Sequence, residues 1–249
     1  MKVLLINGSP HKEGCTYTAL CEVSEALNKN GIDTDIFWIG NKPLSGCIAC
    51  KSCVEKNQCV FQNTVNEFLN IAGNYDGFVF GTPVHWGAAG GAITSFMNRA
   101  FYADLCGGGN RFLLKPAAAV VSARRAGTTA TWDQINKYFA LMQMPIISSR
   151  YWNIVHGATP EEVKKDLEGM QTMRFLGRNM AYFTFAGNQP TLKEAVAAKN
   201  YLNEKELRAM GQLVSGYLDF AERQAEREQA MTMQDWSEHL DRILTMSGE

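Results

Sequence analysis

Short runs of Val, Leu and Ile recur along this chain, each closed by turn residues and followed by a stretch of helical period. That alternation is what most narrows its fold. Val3 to Asn7 is such a run: too short for a helix and apolar up to its closing Asn7, as suits a strand covered on both faces of a sheet. Asp33 to Trp38, Asp76 to Phe80, Pro116 to Ser122 and a segment near Pro145 to Ser149 read as further strands. Helical stretches separate them, around Thr16 to Asn28, Val65 to Ala72, Gly90 to Tyr102 and Trp132 to Met142, and the pattern from Pro160 to Phe185 is helical again. Strands that alternate with helices give an α/β fold: a doubly wound, five-stranded parallel sheet with helices on both faces. Such sheets bind ligands beyond the carboxyl ends of their strands, at the topological switch point.

After about Gln189 the composition changes. Residues 191–249 are charged, helical in period and free of strand signals. The expected division is therefore one α/β domain over 1–188, carrying a cysteine-rich loop at 41–60, and a helical C-terminal extension over 189–249 that pads one face or makes an oligomer contact.

A formal net charge of −1 over 249 residues offers no basic field for nucleic acid or an anionic membrane. No window reaches the length and apolarity of a membrane span. The opening MKVLLINGSP is too short in its apolar run for an export signal, so a cytoplasmic location is expected. In that reducing compartment structural disulfides are uncommon, and seven cysteines is an odd number.

Three loops fall at strand ends. NGSPHKEGCT, Asn7 to Thr16, joins the first strand to the first helix. Gly8 permits a tight turn, Ser9 and Thr16 supply hydroxyls, and the amides of the helix start point outward, which suits a phosphate. Neither GxxxxGK[ST] nor GxGxxG is present, so a monophosphate fits better than a nucleoside triphosphate or a dinucleotide. GTPVHWGAAGG, Gly81 to Gly91, follows the third strand, and SARRAGTT, Ser122 to Thr129, the fourth. Singly each has an ordinary reading: Trp86 as packing, His85 as a satisfied polar group, Arg124 and Arg125 as solvated charge. Together they place three polar-tipped, Gly-containing loops on one sheet edge, which favours a flat aromatic cofactor with a phosphate tail.

CIACKSCVEKNQC holds Cys47, Cys50, Cys53 and Cys59 within thirteen positions. Structural zinc commonly takes two CxxC pairs with a longer spacer, and no histidine lies nearby. Three thiolates at x2 spacing with a fourth soon after suit the corners of a cuboidal iron–sulfur cluster. Zinc and plain thiols stay open as alternatives; Cys21 and Cys106 read as ordinary small side chains.

GSPHKEGCT, FGTPVHWGAAGGAITSFMNR and the loop after the fourth strand resemble the NADPH-dependent FMN reductase branch of the flavodoxin-like superfamily, over about residues 1–185. That branch commonly shows GSPR-x-x-x-NT and G-[ST]-P-[VI]-Y-x-G. With the cysteine loop after the second strand, the chain resembles the iron–sulfur flavoproteins in particular, whose C-x2-C-x2-C-x4–7-C motif holds a [4Fe–4S] cluster beside FMN. The resemblance implies Cys47, Cys50, Cys53 and Cys59 as cluster ligands. It implies that Ser9, His11, Cys15 and Thr16 line the FMN phosphate site, that Pro83, Val84, His85, Trp86 and Gly87 border the isoalloxazine, and that Ser122, Arg124 and Gly127 close its other side. His11 stands where Arg or Lys is usual and Cys15 where Asn is usual, which is expected to weaken phosphate binding. His85 and Trp86 replace a more usual Tyr-Phe pair and are expected to reshape the substrate pocket.

The function expected is an FMN oxidoreductase that passes electrons between a reduced donor, the cluster and a small acceptor, with NAD(P)H or ferredoxin as donor. His85 is a candidate proton donor, since histidine exchanges protons near neutral pH. A cluster-free NAD(P)H-dependent quinone, nitro or azo reductase is the alternative. A non-enzymatic electron carrier is a third, disfavoured by the near-neutral charge. The resemblance also implies a homodimer or homotetramer.

Overall fold

The computed structural model describes residues 1–187. The expected boundary at 188/189 and the helical extension over 189–249 lie outside the described residues.

Val3, Leu4, Leu5 and Ile6 are buried to 1% exposure or less, because β1 (Lys2–Asn7) is covered on both faces and flanked on both edges. Helix α1 (Cys15–Lys29) leads to β2 (Asp33–Trp38), which pairs with β1 in parallel, Leu4 opposite Asp35. The chain then passes through the cysteine loop with its short helix α2 (Cys53–Lys56), and through α3 (Thr64–Ala72), to β3 (Gly77–His85) on the other side of β1. A two-residue strand, β4 (Ala88–Ala89), precedes α4 (Gly91–Cys106). Then follow β5 (Ala117–Ala123), α5 (Thr128–Leu141), β6 (Ile154–His156), α6 (Pro160–Lys165) and α7 (Leu167–Gly187). The parallel order is β2-β1-β3-β5-β6, with β4 attached antiparallel to β3. This is the doubly wound order whose switch point lies between β1 and β3, and the expected flavodoxin-like fold is the one present.

Strand alternation sorts the core into two layers. Leu4, Ile6, Phe78, Phe80, Ala117 and Ala119 pack against α3, α4 and α5. Val3, Leu5, Val79, Ala118 and Val120 pack against α1, α6 and α7. The first layer centres on Phe68, whose ring touches Phe37, Phe78, Phe80, Phe96 and Phe112. Burying one such side chain contributes about 1.5–3 kcal/mol.

Three elements differ from the sequence expectation. The third strand does not stop at Phe80 but runs to His85, then folds back so that His85 pairs with Ala88 and Val84 with Ala89. Pro83 is tolerated inside it because its missing N–H faces the β1 side, where the ladder has already ended at Asn7 opposite Gly81. The segment near Pro145 to Ser149 makes only a single bridge, Ile146 to Ala117; the fifth parallel strand is Ile154–His156. The intervening chain leaves the sheet edge and returns through buried Asn153, whose carbonyl accepts from the Val121 N–H and whose Nδ2 donates to the Ile147 carbonyl. The helical stretch from Pro160 to Phe185 is two helices. Asp166 splits it: one carboxylate oxygen accepts the His156 N–H at 2.7 Å, the other the Gly169 N–H at 2.9 Å, capping α7. No described helix is long and apolar enough to cross a membrane.

Candidate functional site

The loop after β1 is wound on itself by its own side chains. Buried Asn7 accepts the Ser9 N–H at Oδ1 (3.1 Å) and donates from Nδ2 to the Lys12 carbonyl (2.9 Å). Ser9 Oγ accepts the His11 N–H at 3.1 Å. From the end of β2, Trp38 donates its Nε1–H to the Ser9 carbonyl at 2.8 Å. The Gly8 N–H donates to the Gly81 carbonyl at 2.8 Å, and a Cβ on Gly8 would stand only 2.8 Å from that oxygen and from Ile93. Helix α1 starts at Gly14 with no side-chain cap, so its first amides are free for an anion. Thr16 and Ser122, both buried, share a hydrogen bond of 2.7 Å that ties this loop to the one after β5. His11 and Lys12 are exposed at the rim. Cys15 turns its thiol away, to the Gly157 carbonyl at 3.7 Å, and burial raises its pKa; it offers this loop only its backbone.

The two other loops meet. Trp86 (φ 52°) and Gly87 (φ 76°) form the tip of the β3–β4 hairpin, with the positive φ at both central residues of a type I′ turn. The Trp86 side chain is wholly exposed. Gly127 (φ 89°) lies so close to this tip that a Cβ there would meet Gly87 Cα at 2.7 Å. Pro83 and Val84 are half-buried beneath, His85 is exposed, and Thr82 Oγ1 accepts the Gly90 N–H at 3.4 Å. Arg124 and Arg125 are exposed and pair with no carboxylate among the described residues. The Thr16–Ser122 hydrogen bond therefore joins the loops after β1 and β5, and the Gly87–Gly127 approach brings the hairpin tip against the loop after β5.

The cysteines gather separately. Ala49, Lys51 and Asn57 all take left-handed backbone conformations (φ 52°, 61° and 50°), a cost non-glycine residues bear chiefly at functional sites. Cys47, Cys50, Cys53 and Cys59 all line one pocket, walled by Ile48, Phe61, Arg99 and Tyr102. Cys53 opens α2 and is buried, which raises its pKa. Cys50 is exposed, and hydrogen bonds from the Ser52 amide and hydroxyl lower its pKa. Cys47 is exposed and accepts the Ala49 N–H at 3.4 Å. Cys59 is held by its backbone, which exchanges two 2.8 Å hydrogen bonds with the Asn66 side chain. All seven cysteines are free thiols. Among the described residues no group of three or more His, Cys, Asp or Glu side chains stands ready to hold a metal ion. The donor set nonetheless fits an iron–sulfur cluster: sulfur donors alone, a wall of apolar and cationic side chains, and no imidazole or carboxylate. Closure would require Cys47 and Cys50 to turn inward.

The loop docks on the end of α4. Gly107 touches it so closely that a Cβ would meet Asn57 Cα at 2.6 Å and the Cys53 carbonyl at 2.7 Å. Arg111 Nη1 donates to both Asn57 Oδ1 and buried Asp104 Oδ1, each at 2.6 Å.

Sequence reasoning missed Asn7, Thr82, Trp38 and Arg99. Asn7 had a signal, being the one polar residue inside an otherwise apolar strand. Arg99 had another: it falls in the buried helical stripe Phe96, Arg99, Ala100, Ala103, where a charge is out of place.

Residues 1–159 match the NADPH-dependent FMN reductase family, and residues 131–249, most of them outside the described region, match the Virulence protein RhuM family. An iron–sulfur flavoprotein of Methanocaldococcus jannaschii is 31% identical over 186 residues, covering 73% of this chain and 96% of that protein. One from Methanosarcina thermophila is 24% identical over 70% of this chain and 90% of its own length. Among solved structures, RosB with bound 8-demethyl-8-formylriboflavin-5′-phosphate aligns with a TM-score of 0.58 at 13% identity, covering 82% of this chain and 88% of that one. A flavone reductase aligns with a TM-score of 0.58 at 17% identity, covering 77% of this chain and 65% of that one.

Proposed function

This chain belongs to the NADPH-dependent FMN reductase family, and on that premise we propose that it is an FMN oxidoreductase of the iron–sulfur type, moving electrons between a reduced donor, a [4Fe–4S] cluster and a small acceptor. FMN, when bound, exchanges electrons in pairs or singly, which lets it adapt a two-electron donor to a one-electron cluster. The observation that carries the reading is that all four cysteines of the motif line one pocket, while the loops after β1, β3 and β5 meet one another through the Thr16–Ser122 hydrogen bond and the Gly87–Gly127 approach.

The chain's own groups divide the work. Ser9, Thr16 and the first amides of α1 bind the phosphate, with His11 at the rim. Cys15 contributes its N–H, not its thiol. Pro83, Val84 and the Trp86-Gly87 tip border one face of the ring; Ser122, Arg124 and Gly127 close the other. Arg124, which forms no ion pair among the described residues, would stabilise negative charge on the reduced ring. His85, exposed beside the hairpin tip, is the proton donor to a reduced substrate. NAD(P)H or ferredoxin serves as donor, the working unit is a homodimer or homotetramer, and the cytoplasm keeps the thiols reduced.

The exposure of Cys47 and Cys50 favours a second reading, a cluster-free NAD(P)H-dependent FMN reductase. The two separate on protein purified without oxygen and assayed for iron, acid-labile sulfide and flavin. About four iron and four sulfide per chain with bound FMN are expected. Flavin without iron or sulfide would leave the cluster-free reductase.

A further inference from the structure

We propose that Arg99 is a positioning residue of the cysteine pocket, its buried guanidinium holding Cys59 by a hydrogen bond to sulfur and raising the reduction potential of the cluster bound there. The inference rests on the cluster reading above. Arg99 is 1% exposed on α4, yet it forms none of the ion pairs among the described residues. Its Nε–H donates to Cys59 Sγ at 3.1 Å. Nη2 donates to the Phe61 carbonyl at 3.2 Å and to Asn63 Oδ1 at 3.0 Å, and the guanidinium lies 5.0 Å from the Phe61 ring centroid. Nη1 is buried with no hydrogen-bond partner among the described residues. Arg99 also lines the pocket that the four cysteines share.

A purely structural role accounts for part of this. Nη2 fastens the segment from Phe61 to Asn63, as a neutral side chain could. It does not account for the charge. Arginine stays protonated in proteins, and a buried cation without a counter-ion is strongly destabilising. The position wants an anion, and the sulfur of Cys59 already accepts a hydrogen bond from its Nε–H. A thiolate-ligated cluster carries net negative charge and would offer sulfur acceptors toward the idle Nη1. One-electron reduction adds a further negative charge, so a fixed cation and an N–H···S bond stabilise the reduced form more than the oxidised one.

The test compares Arg99→Gln and Arg99→Lys with the unmodified protein, all purified without oxygen. Bound FMN reports that the fold is intact, since the proposed flavin site lies elsewhere. The cluster's midpoint potential is read by reductive titration with a low-potential chemical reductant, followed by EPR. Arg99→Gln should shift the reduction equilibrium at least tenfold toward the oxidised form, about 59 mV for a one-electron couple. Arg99→Lys, which keeps charge but loses the Nε–H, should fall between. Loaded variants with the unmodified potential overturn the proposal. If either variant loses FMN or iron, the unmodified protein labelled with ¹⁵N-arginine decides instead. Its reduced cluster should show a ¹⁵N coupling in pulsed EPR, and absence of that coupling overturns the proposal. Unmodified protein without iron and sulfide removes the cluster reading itself; a loaded cluster indifferent to Arg99 removes only this role.

Discussion

Tyr75 is 8% exposed and donates its O–H to Asp35 Oδ2 at 2.6 Å, while Lys2 pairs with the same carboxylate oxygen at 2.6 Å. Burial, and then the neighbouring Asp35 carboxylate, push the phenol up to about 12 from 10.0. In the unfolded chain the phenol ionises first, so above pH 10 the unfolded state binds fewer protons. The free energy of unfolding therefore falls as pH rises from about 10 to about 12, by about 2–3 kcal/mol in all, and is unaffected below that window. Urea unfolding at pH 8 and near pH 12 should show this loss in the unmodified protein and a shallower one in Tyr75→Phe; equal slopes would refute the assignment. At this scale the sequence was informative where chemistry repeats at fixed spacing. The x2, x2, x5 cysteine run was legible as a group that acts together, and the structure lines one pocket with all four. It was uninformative where a residue's meaning depends on a neighbour distant in the chain. Arg99 meets Cys59 forty positions away, and Cys15 turns its thiol to the carbonyl of Gly157, 142 positions on.

Elements were legible in their order and misjudged at their ends. The apolar runs of β1, β3 and β5 announce themselves because both faces are buried, whereas β2, at the sheet edge, is only half-buried. The hairpin tip at Trp86-Gly87 does not, since it needs two positive φ angles and the sequence offers only one glycine for them. The split between α6 and α7 is set by Asp166, which caps α7 at Gly169 and is tied by its other carboxylate oxygen to His156 on another element. The cysteine loop has few hydrogen bonds of its own before Ser52 and depends on docking against the end of α4. Gly107 is the contact point, with Asn57 Cα, the Ala103 carbonyl and the Cys53 carbonyl all within 2.7 Å of where a Cβ would stand. None of these atoms is a flexible side-chain end, so Gly107→Ala must push the loop off the helix. The expected result is loss of most bound iron with FMN stoichiometry retained, measured on the same anaerobic preparation. Full iron in Gly107→Ala would mean that the loop does not need this docking.

For the molecule as a whole, α4 is the connection between the two sites. Its N-terminus follows directly from the hairpin that borders the proposed flavin site, and Arg99, eight residues later and roughly 12 Å along the axis, walls the cysteine pocket. Each site otherwise stands on its own loops, which predicts that they can be emptied separately. In Gly127→Ala the new methyl group forces a left-handed backbone at φ 89° to carry a Cβ and drives it into Gly87 at 2.7 Å. The first effect alone costs about 1–2 kcal/mol. Because both loops border the proposed ring site, FMN affinity should fall at least tenfold, about 1.4 kcal/mol, by fluorescence titration. Iron and sulfide content should not change. In Cys53→Ala, which removes the buried thiol at the start of α2, iron should be lost while FMN remains stoichiometric. Electron transfer from a reduced donor through both centres should fail in either variant, whereas direct reduction of the flavin by the donor should survive Cys53→Ala. If Cys53→Ala also released FMN, or Gly127→Ala also released iron, α4 would be coupling the occupancy of the two sites and not merely spacing them.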